Sequence, residues 1–185
     1  MESYYKHPPV IELQRYRLRT LELKDSKKIC EVYSEEGLAF QPMDPLKSEE
    51  EGKAYIETCR KRQLDGKMLR WAIVDEKDDM IGVFSMNGYD KRHRAISFGA
   101  MLSKVYWKKG IMTEVMQGVI AFLTKETNIR RIEVSINPKN SASLNLAKRV
   151  GFTEEGIKRD AIYIKESGRY EDRVVMSYLL ERESL

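Results

Sequence analysis

The spacing of apolar positions changes period several times along the chain, and each change marks an element. Between Ile11 and Leu21, Leu13, Arg15, Arg17 and Arg19 alternate with other residues, the period of an edge strand. Asp25 introduces a helical pattern through Ile29, Val32 and Tyr33 that stops near Gly37. After a loop holding Pro42 and Pro45, Ser48-Glu49-Glu50-Glu51 has the form of a capping box. It opens a helix through Tyr55, Ile56 and Cys59 that ends near Leu64. Three strand patterns follow: Leu69 to Val74, Met80 to Tyr89 and Ala95 to Leu102. Polar turns at Asp78-Asp79 and Asp90 to Arg94 separate them, which predicts an antiparallel meander.

The period then returns to that of a helix. Met112, Val115, Met116, Val119 and Leu123 fall on one face, with Gly110 just ahead of them. Ile132, Val134 and Ile136 alternate as a strand. Asn140 can cap a further helix, with Leu144, Ala147 and Val150 on one face and Gly151 as the stop. Phe152 to Tyr163 and Arg173 to Leu180 close the chain as two strands. A strand–helix–strand unit in the middle calls for a parallel pair, whereas the meander before it is antiparallel. The expected architecture is α+β: a mixed sheet of about seven strands with helices on both faces. No linker, repeat or low-complexity stretch divides residues 1–185, so a single domain is expected.

Composition narrows the function classes. Net charge is +4 from 33 basic and 29 acidic side chains with the signs interspersed, which offers no basic face large enough for a nucleic acid. The small excess suits an anionic small ligand without requiring one. Cys30 and Cys59 are the only cysteines, with no Cys-x-x-Cys or Cys/His cluster, so no metal site is expected. The sequence carries neither a signal-peptide run nor a long apolar span, and a cytoplasmic protein with free thiols is expected.

Two segments carry candidate chemistry. The first is Val105-Tyr106-Trp107-Lys108-Lys109-Gly110-Ile111-Met112-Thr113, between a strand and an amphipathic helix. A helix start leaves backbone N–H groups unpaired and carries positive partial charge, which suits phosphate. Gly110 permits close backbone approach, and Lys108 and Lys109 add mobile charge. An ordinary turn with solvated lysines is the competing reading. Neither Gly-x-x-x-x-Gly-Lys-Ser/Thr nor Gly-x-Gly-x-x-Gly is present. The second segment runs from Asn137-Pro138-Lys139-Asn140 through Ser143 to Gly151-Phe152. Asn140 reads first as a helix cap. The helix also starts directly after a parallel strand, at the sheet end where ligands bind in open α/β sheets.

Taken together, these segments resemble the GNAT superfamily of acetyl-CoA-dependent N-acetyltransferases, and within it the Rim-type ribosomal-protein N-terminal acetyltransferases. Arg17-Leu18-Arg19 with Asp25 resembles that group's opening strand and helix. Tyr106-Trp107-Lys108-Lys109-Gly110-Ile111-Met112-Thr113-Glu114 resembles its cofactor loop. Asn140-Ser141-Ala142-Ser143 with Gly151-Phe152 resembles its next helix, and Gly156, Arg159-Asp160 and Gly168-Arg169-Tyr170 its tail. The resemblance implies that the strands Ala95 to Leu102 and Arg131 to Ile136 splay apart. The pantetheine arm would pair with backbone of Met101 and Leu102. The diphosphate would sit on the amides of Lys109, Gly110, Ile111, Met112 and Thr113, with Lys108 beside it. Asn140 would hydrogen-bond the arm, and Ser143 would assist the leaving thiolate. The implied fold is the acyl-CoA N-acyltransferase fold, the co-substrate acetyl-CoA, and the assembly a monomer or homodimer.

Several positions depart from the family pattern. Lys108 replaces a frequent glycine and Met112 a small residue. Ala147 stands where many relatives carry a tyrosine acid, and Ser97 where the group usually carries a glutamate. Ser97 is then left to relay a proton through water, with Glu133 and Asp160 as other candidate bases. A site without a strong base favours an amine that is already partly neutral. A peptide α-amine, with a pKa of about 7.7–8.0, meets that need better than lysine at about 10.4. The expected acceptor is therefore a protein N-terminus such as that of a ribosomal protein. A small amine (polyamine or aminoglycoside) and a catalytically silent CoA-binding relative are the alternatives. An acidic rim at Asp44, Glu49, Glu50 and Glu51 can attract a cationic acceptor or be a solvated helix start.

Overall fold

The computed structural model describes residues 1–165 and 167–180; position 166 and the expected domain's last positions, 181–185, lie outside it. Eight strands form one sheet, in the spatial order β1-β2-β3-β4-β5-β6-β8-β7. They are β1 Ile11–Glu12, β2 Arg17–Thr20, β3 Met68–Val74, β4 Met80–Asp90, β5 Ala95–Leu102, β6 Arg131–Ile136, β7 Thr153–Ile164 and β8 Arg169–Leu179. Among the described residues β5 and β6 are the one parallel pair, and all other neighbours are antiparallel. The helices are α1 Glu2–Lys6, α2 Ser26–Val32, α3 Glu49–Leu64, α4 Ile111–Glu126 and α5 Ser141–Val150.

Alternation along the strands sends side chains to two apolar clusters. Leu69, Trp71 and Ile73 of β3 join Val115, Val119 and Leu123 of α4 and Ala147 of α5 on one face. Met68, Ala72 and Val74 join Ile29 of α2 and Ile56 and Cys59 of α3 on the other. Helices therefore cover both faces, as the patterning required. Gly52 lets α2 and α3 meet closely, because a Cβ there would stand 2.3 Å from the Ser26 carbonyl oxygen.

Besides shifted ends, such as β8 starting at Arg169 and α2 stopping at Val32, three differences from the sequence reading matter. The expected edge strand 11–21 is two short strands that fold back on each other, with Leu13 N–H donating to Tyr16 O (2.9 Å). That turn brings Arg15 onto Glu114 of α4, through its backbone N–H (2.8 Å) and Nε (2.7 Å). This division raises the strand count from about seven to eight. The short helix α1 carries too few residues for a periodic signal; its Tyr5 packs into the larger cluster. The Ser48 box closes only half-way. Ser48 Oγ accepts from Glu51 N–H (3.2 Å), but Glu51 accepts from Lys47 N–H (2.7 Å).

Candidate active site

β5 and β6 pair only from Ala95–Arg131 to Ser97–Glu133. Beyond that point Phe98 to Leu102 keep β4, Val134 to Ile136 keep β8, and a wedge opens between them. Backbone alternation decides which groups face it. Arg94 O accepts from the Arg130 and Arg131 N–H groups, so even-numbered positions of β5 address β6. Ser103 N–H donates to Ile81 O (3.0 Å), so odd-numbered positions address β4. Phe98, Ala100 and Leu102 therefore present N–H and C=O to the wedge. Met101 does not, which corrects the expectation for that residue. Its backbone belongs to the β4 ladder and its side chain packs against the α2/α3 cluster. The Leu102 carbonyl is itself taken by the Trp107 indole N–H (2.9 Å), which ties the following loop to the strand end.

That loop delivers a run of free donors. Lys108 (φ 61°) and Gly110 (φ 74°) both adopt the left-handed region, and Gly110 is the N-cap of α4. Glu114 is the first α4 residue whose N–H bonds back, to Gly110 O (3.3 Å). The N–H groups of residues 108–113 have no acceptor among the described residues. Their positive end is not quenched by the acidic residue nearby, because Arg15 pairs with Glu114 (2.7 Å). Lys108 and Lys109 are exposed beside them, with Lys109 Nζ 5.3 Å from the Tyr106 ring centroid. Nothing lies within 4 Å of a Cβ built on Gly110, so space for a ligand exists there. The donor set fits a diphosphate.

α5 begins beyond the end of β6. Asn140 caps it by accepting the Ser143 N–H on Oδ1 (3.0 Å), which leaves its amide nitrogen as a donor. Ser143 is half-buried, and its hydroxyl has no partner among the described residues.

On the α2/α3 face, Ser97 stands opposite Asn87 of β4 and Glu133 of β6. The flanking polar groups are committed. Asn87 Nδ2 donates to Ser85 Oγ (3.2 Å), which donates to Gly99 O (3.2 Å). Arg131 Nε reaches Glu133 (2.7 Å) and its Nη1 reaches Glu155 (2.8 Å); Ser177 Oγ also donates to Glu155 (2.6 Å). The Arg131 and Ser177 hydrogen bonds hold the Glu155 carboxyl down to about 2. A carboxylate held as Glu155 is accepts a proton poorly near neutrality. Asp160 is exposed, in a left-handed conformation (φ 49°) on a bulge of β7. The acidic rim is divided. Glu49 pairs with Lys53 (3.0 Å) and Lys27 (3.6 Å), while Asp44 and Glu51 line an open pocket of about 570 Å³ with Tyr55 and Thr58.

Ala100, Asn87 and Ser85 carry no motif. Strand pairing brings them to the site, and only the register reveals it. Among the described residues no helix is long and apolar enough to cross a membrane.

A wedge beside a helix start with free amides can take an extended ligand that ends in phosphate, and comparison with known proteins gives the family. The model of the acetyltransferase (GNAT) domain matches residues 15–153, and the chain belongs to that family. It is 31% identical over 172 residues to the uncharacterised N-acetyltransferase p20 of Bacillus licheniformis, covering 92% of this chain and 95% of that one. It is 23% identical to the ribosomal protein uS5-alanine N-acetyltransferase of Escherichia coli, covering 95% and 94%. The solved structure of RimL, a ribosomal L7/L12 α-N-protein acetyltransferase in complex with coenzyme A, superposes with a TM-score of 0.80 at 22% identity. That match covers 93% of this chain and 98% of RimL. The chain is an N-acetyltransferase with a GNAT fold.

Proposed function

We propose that the chain transfers acetyl from acetyl-CoA to the α-amine of a protein N-terminus. The observation that carries the reading is the run of unpaired N–H groups from residue 108 to 113 beside the β5/β6 wedge. Acetyl-CoA supplies the activated acyl group. Lys108, Lys109, Gly110, Ile111, Met112 and Thr113 bind its diphosphate; Ala100, Leu102 and the Asn140 amide orient the arm. The Leu102 N–H, turned into the wedge, is placed for the charge that develops on the reacting carbonyl oxygen. Ser143 gives its hydroxyl hydrogen bond to the departing thiolate, and Ser97 orders a water near the amine.

The choice of an α-amine rests on the chain's committed carboxylates together with the names of its relatives. RimL is a ribosomal L7/L12 α-N-protein acetyltransferase, and the Escherichia coli relative is a ribosomal protein uS5-alanine N-acetyltransferase. Glu155 is held low and Glu133 is engaged by Arg131, which supports an amine that arrives already neutral. The test is a panel of N-terminal peptides, spermidine and an aminoglycoside, read by thiol release and acetyl mass shift across pH. With a peptide, log kcat/KM should rise with unit slope and level off at about pH 7.7–8.0, the amine's own range. A polyamine profile would climb to about 10. Failure to acetylate any peptide, with turnover of spermidine, would overturn the reading.

Ser143→Ala should lower kcat about a hundredfold, the low end of the range for one proton-donating group, while leaving the dissociation constant of CoA unchanged. An unaltered kcat would remove Ser143 from the reaction.

A further inference from the structure

Arg173 of β8 is 4% exposed. Its Nη1 donates to Glu171 Oε2 (3.3 Å) and to Asp172 O (3.0 Å). Its Nη2 is closed to solvent and has no acceptor among the described residues. Folded proteins seldom leave a buried guanidinium nitrogen unpaired, because burial removes the water that would satisfy it.

The neighbours place this free donor. Ile136 lies opposite Val174, so one further step sets Arg173 beside Asn137, where β6 leaves the sheet at the wedge. Asn137 is also buried (5% exposed). Its Nδ2 donates to Glu171 Oε2 (2.6 Å), the same oxygen that receives Arg173 Nη1. Asn137 Oδ1 is occupied by the Lys139 N–H (2.9 Å). Glu171 thus ties the guanidinium to Asn137 at the end of β6, and Nη2 is the buried atom of the group left without an acceptor. Val174 and Met176, at even-numbered positions of β8, belong to the α4/α5 cluster. Arg173 therefore shares its face with Glu133 and Ser97, one strand away from the wedge.

We infer that Arg173 is a specificity-determining residue whose Nη2 donates to the first carbonyl oxygen of the acceptor peptide. The inference rests on the peptide reading above. A peptide N-terminus carries a carbonyl oxygen one carbon beyond its amine. A polyamine carries none, and its second ammonium would be repelled by the guanidinium. A buried donor left without its acceptor rejects the molecule that lacks the carbonyl. Because Nη2 is closed in the free chain, engagement requires the strand ends at the wedge to part as the acceptor enters.

The experiment compares one acceptor peptide with the same peptide whose first carbonyl is a methylene. Wild type should show a KM about tenfold higher for the methylene peptide at similar kcat, the loss expected for one charge-assisted hydrogen bond. Arg173→Met keeps the chain length and removes the donor. It should raise KM for the normal peptide by about the same factor and abolish discrimination between the two, with CoA affinity unchanged. Arg173→Lys should discriminate weakly, since it keeps the charge and loses the fork. If Arg173→Met does not fold, Glu171→Gln, which loosens the aim of the guanidinium, should show the same loss of discrimination in smaller measure. A variant that discriminates as well as wild type overturns the assignment of Arg173 alone. A wild type that acetylates no peptide overturns the peptide reading and this inference with it.

Discussion

Gly110→Asp should abolish measurable binding of coenzyme A. The residue is the N-cap of α4, and the N–H groups of 108–113 converge there without acceptors. A carboxylate at this point meets the ligand's diphosphate. Two unit charges about 4 Å apart interact by roughly 4 kcal/mol at an effective dielectric constant near 20, close to a thousandfold in affinity. The side chain also satisfies the amides from within, so the ligand must displace it. No neighbouring atom blocks the side chain, because nothing lies within 4 Å of a Cβ at this glycine, and the strain of its positive φ falls equally on an Asn control. The backbone conformation (φ 74°) is tolerated by Asp and Asn better than by other residues. Gly110→Asn therefore supplies the control: equal shape, no charge, and a much smaller loss. Calorimetric titration reads both. Equal affinity of the Asp variant and wild type would remove the diphosphate from this loop.

The second large effect concerns stability. Arg19→Ala should lower the midpoint of thermal unfolding by about 6–20 °C, from a loss of about 3–5 kcal/mol spread over a chain of this length. Arg19 is buried and meets Asp25 with two parallel hydrogen bonds of 2.9 Å each, and Asp78 through Nε (2.8 Å). Asp25 is also buried and accepts the Glu22 N–H (2.8 Å). Removing the guanidinium strands that carboxylate, which is far more damaging than removing both partners. Arg19→Met with Asp25→Leu should therefore recover much of the loss. Acid acts on the same network. Hydrogen bonds from Lys24 and Arg19 hold the Asp78 carboxyl well below the usual carboxylate range. Its contribution is complete above the unfolded value of about 3.9 and is lost as pH falls below it. A shift under about 3 °C for Arg19→Ala, measured by calorimetry at neutral pH, would show that the pair contributes little.

Local signals in the chain led directly to several elements. Gly151 stops α5 in the left-handed conformation its position suggested, and Asn140 caps it. Ser48 opens α3, and the change from alternating to helical period after Leu102 marks the crossover to α4. These features are readable because each depends on residues within one or two turns of one another. The turn at 13–16 was hidden because Arg15 is drawn out of the alternation by Glu114, a contact across 99 residues.

The order of elements, the two-faced sheet, the loop that starts α4 and the family resemblance are all legible in the chain alone. All of these are carried by periodicity and by short motifs. It takes the folded chain to reveal that Ala100 rather than Met101 turns its backbone to the wedge, that Glu133 and Glu155 are tied up by Arg131, and that Arg173 holds a spare donor beside Asn137. Strand register is the cause. A shift of one residue exchanges the two faces of a strand and redirects every N–H and C=O. Register is set by contacts between segments far apart in the chain, not by any residue's immediate neighbours.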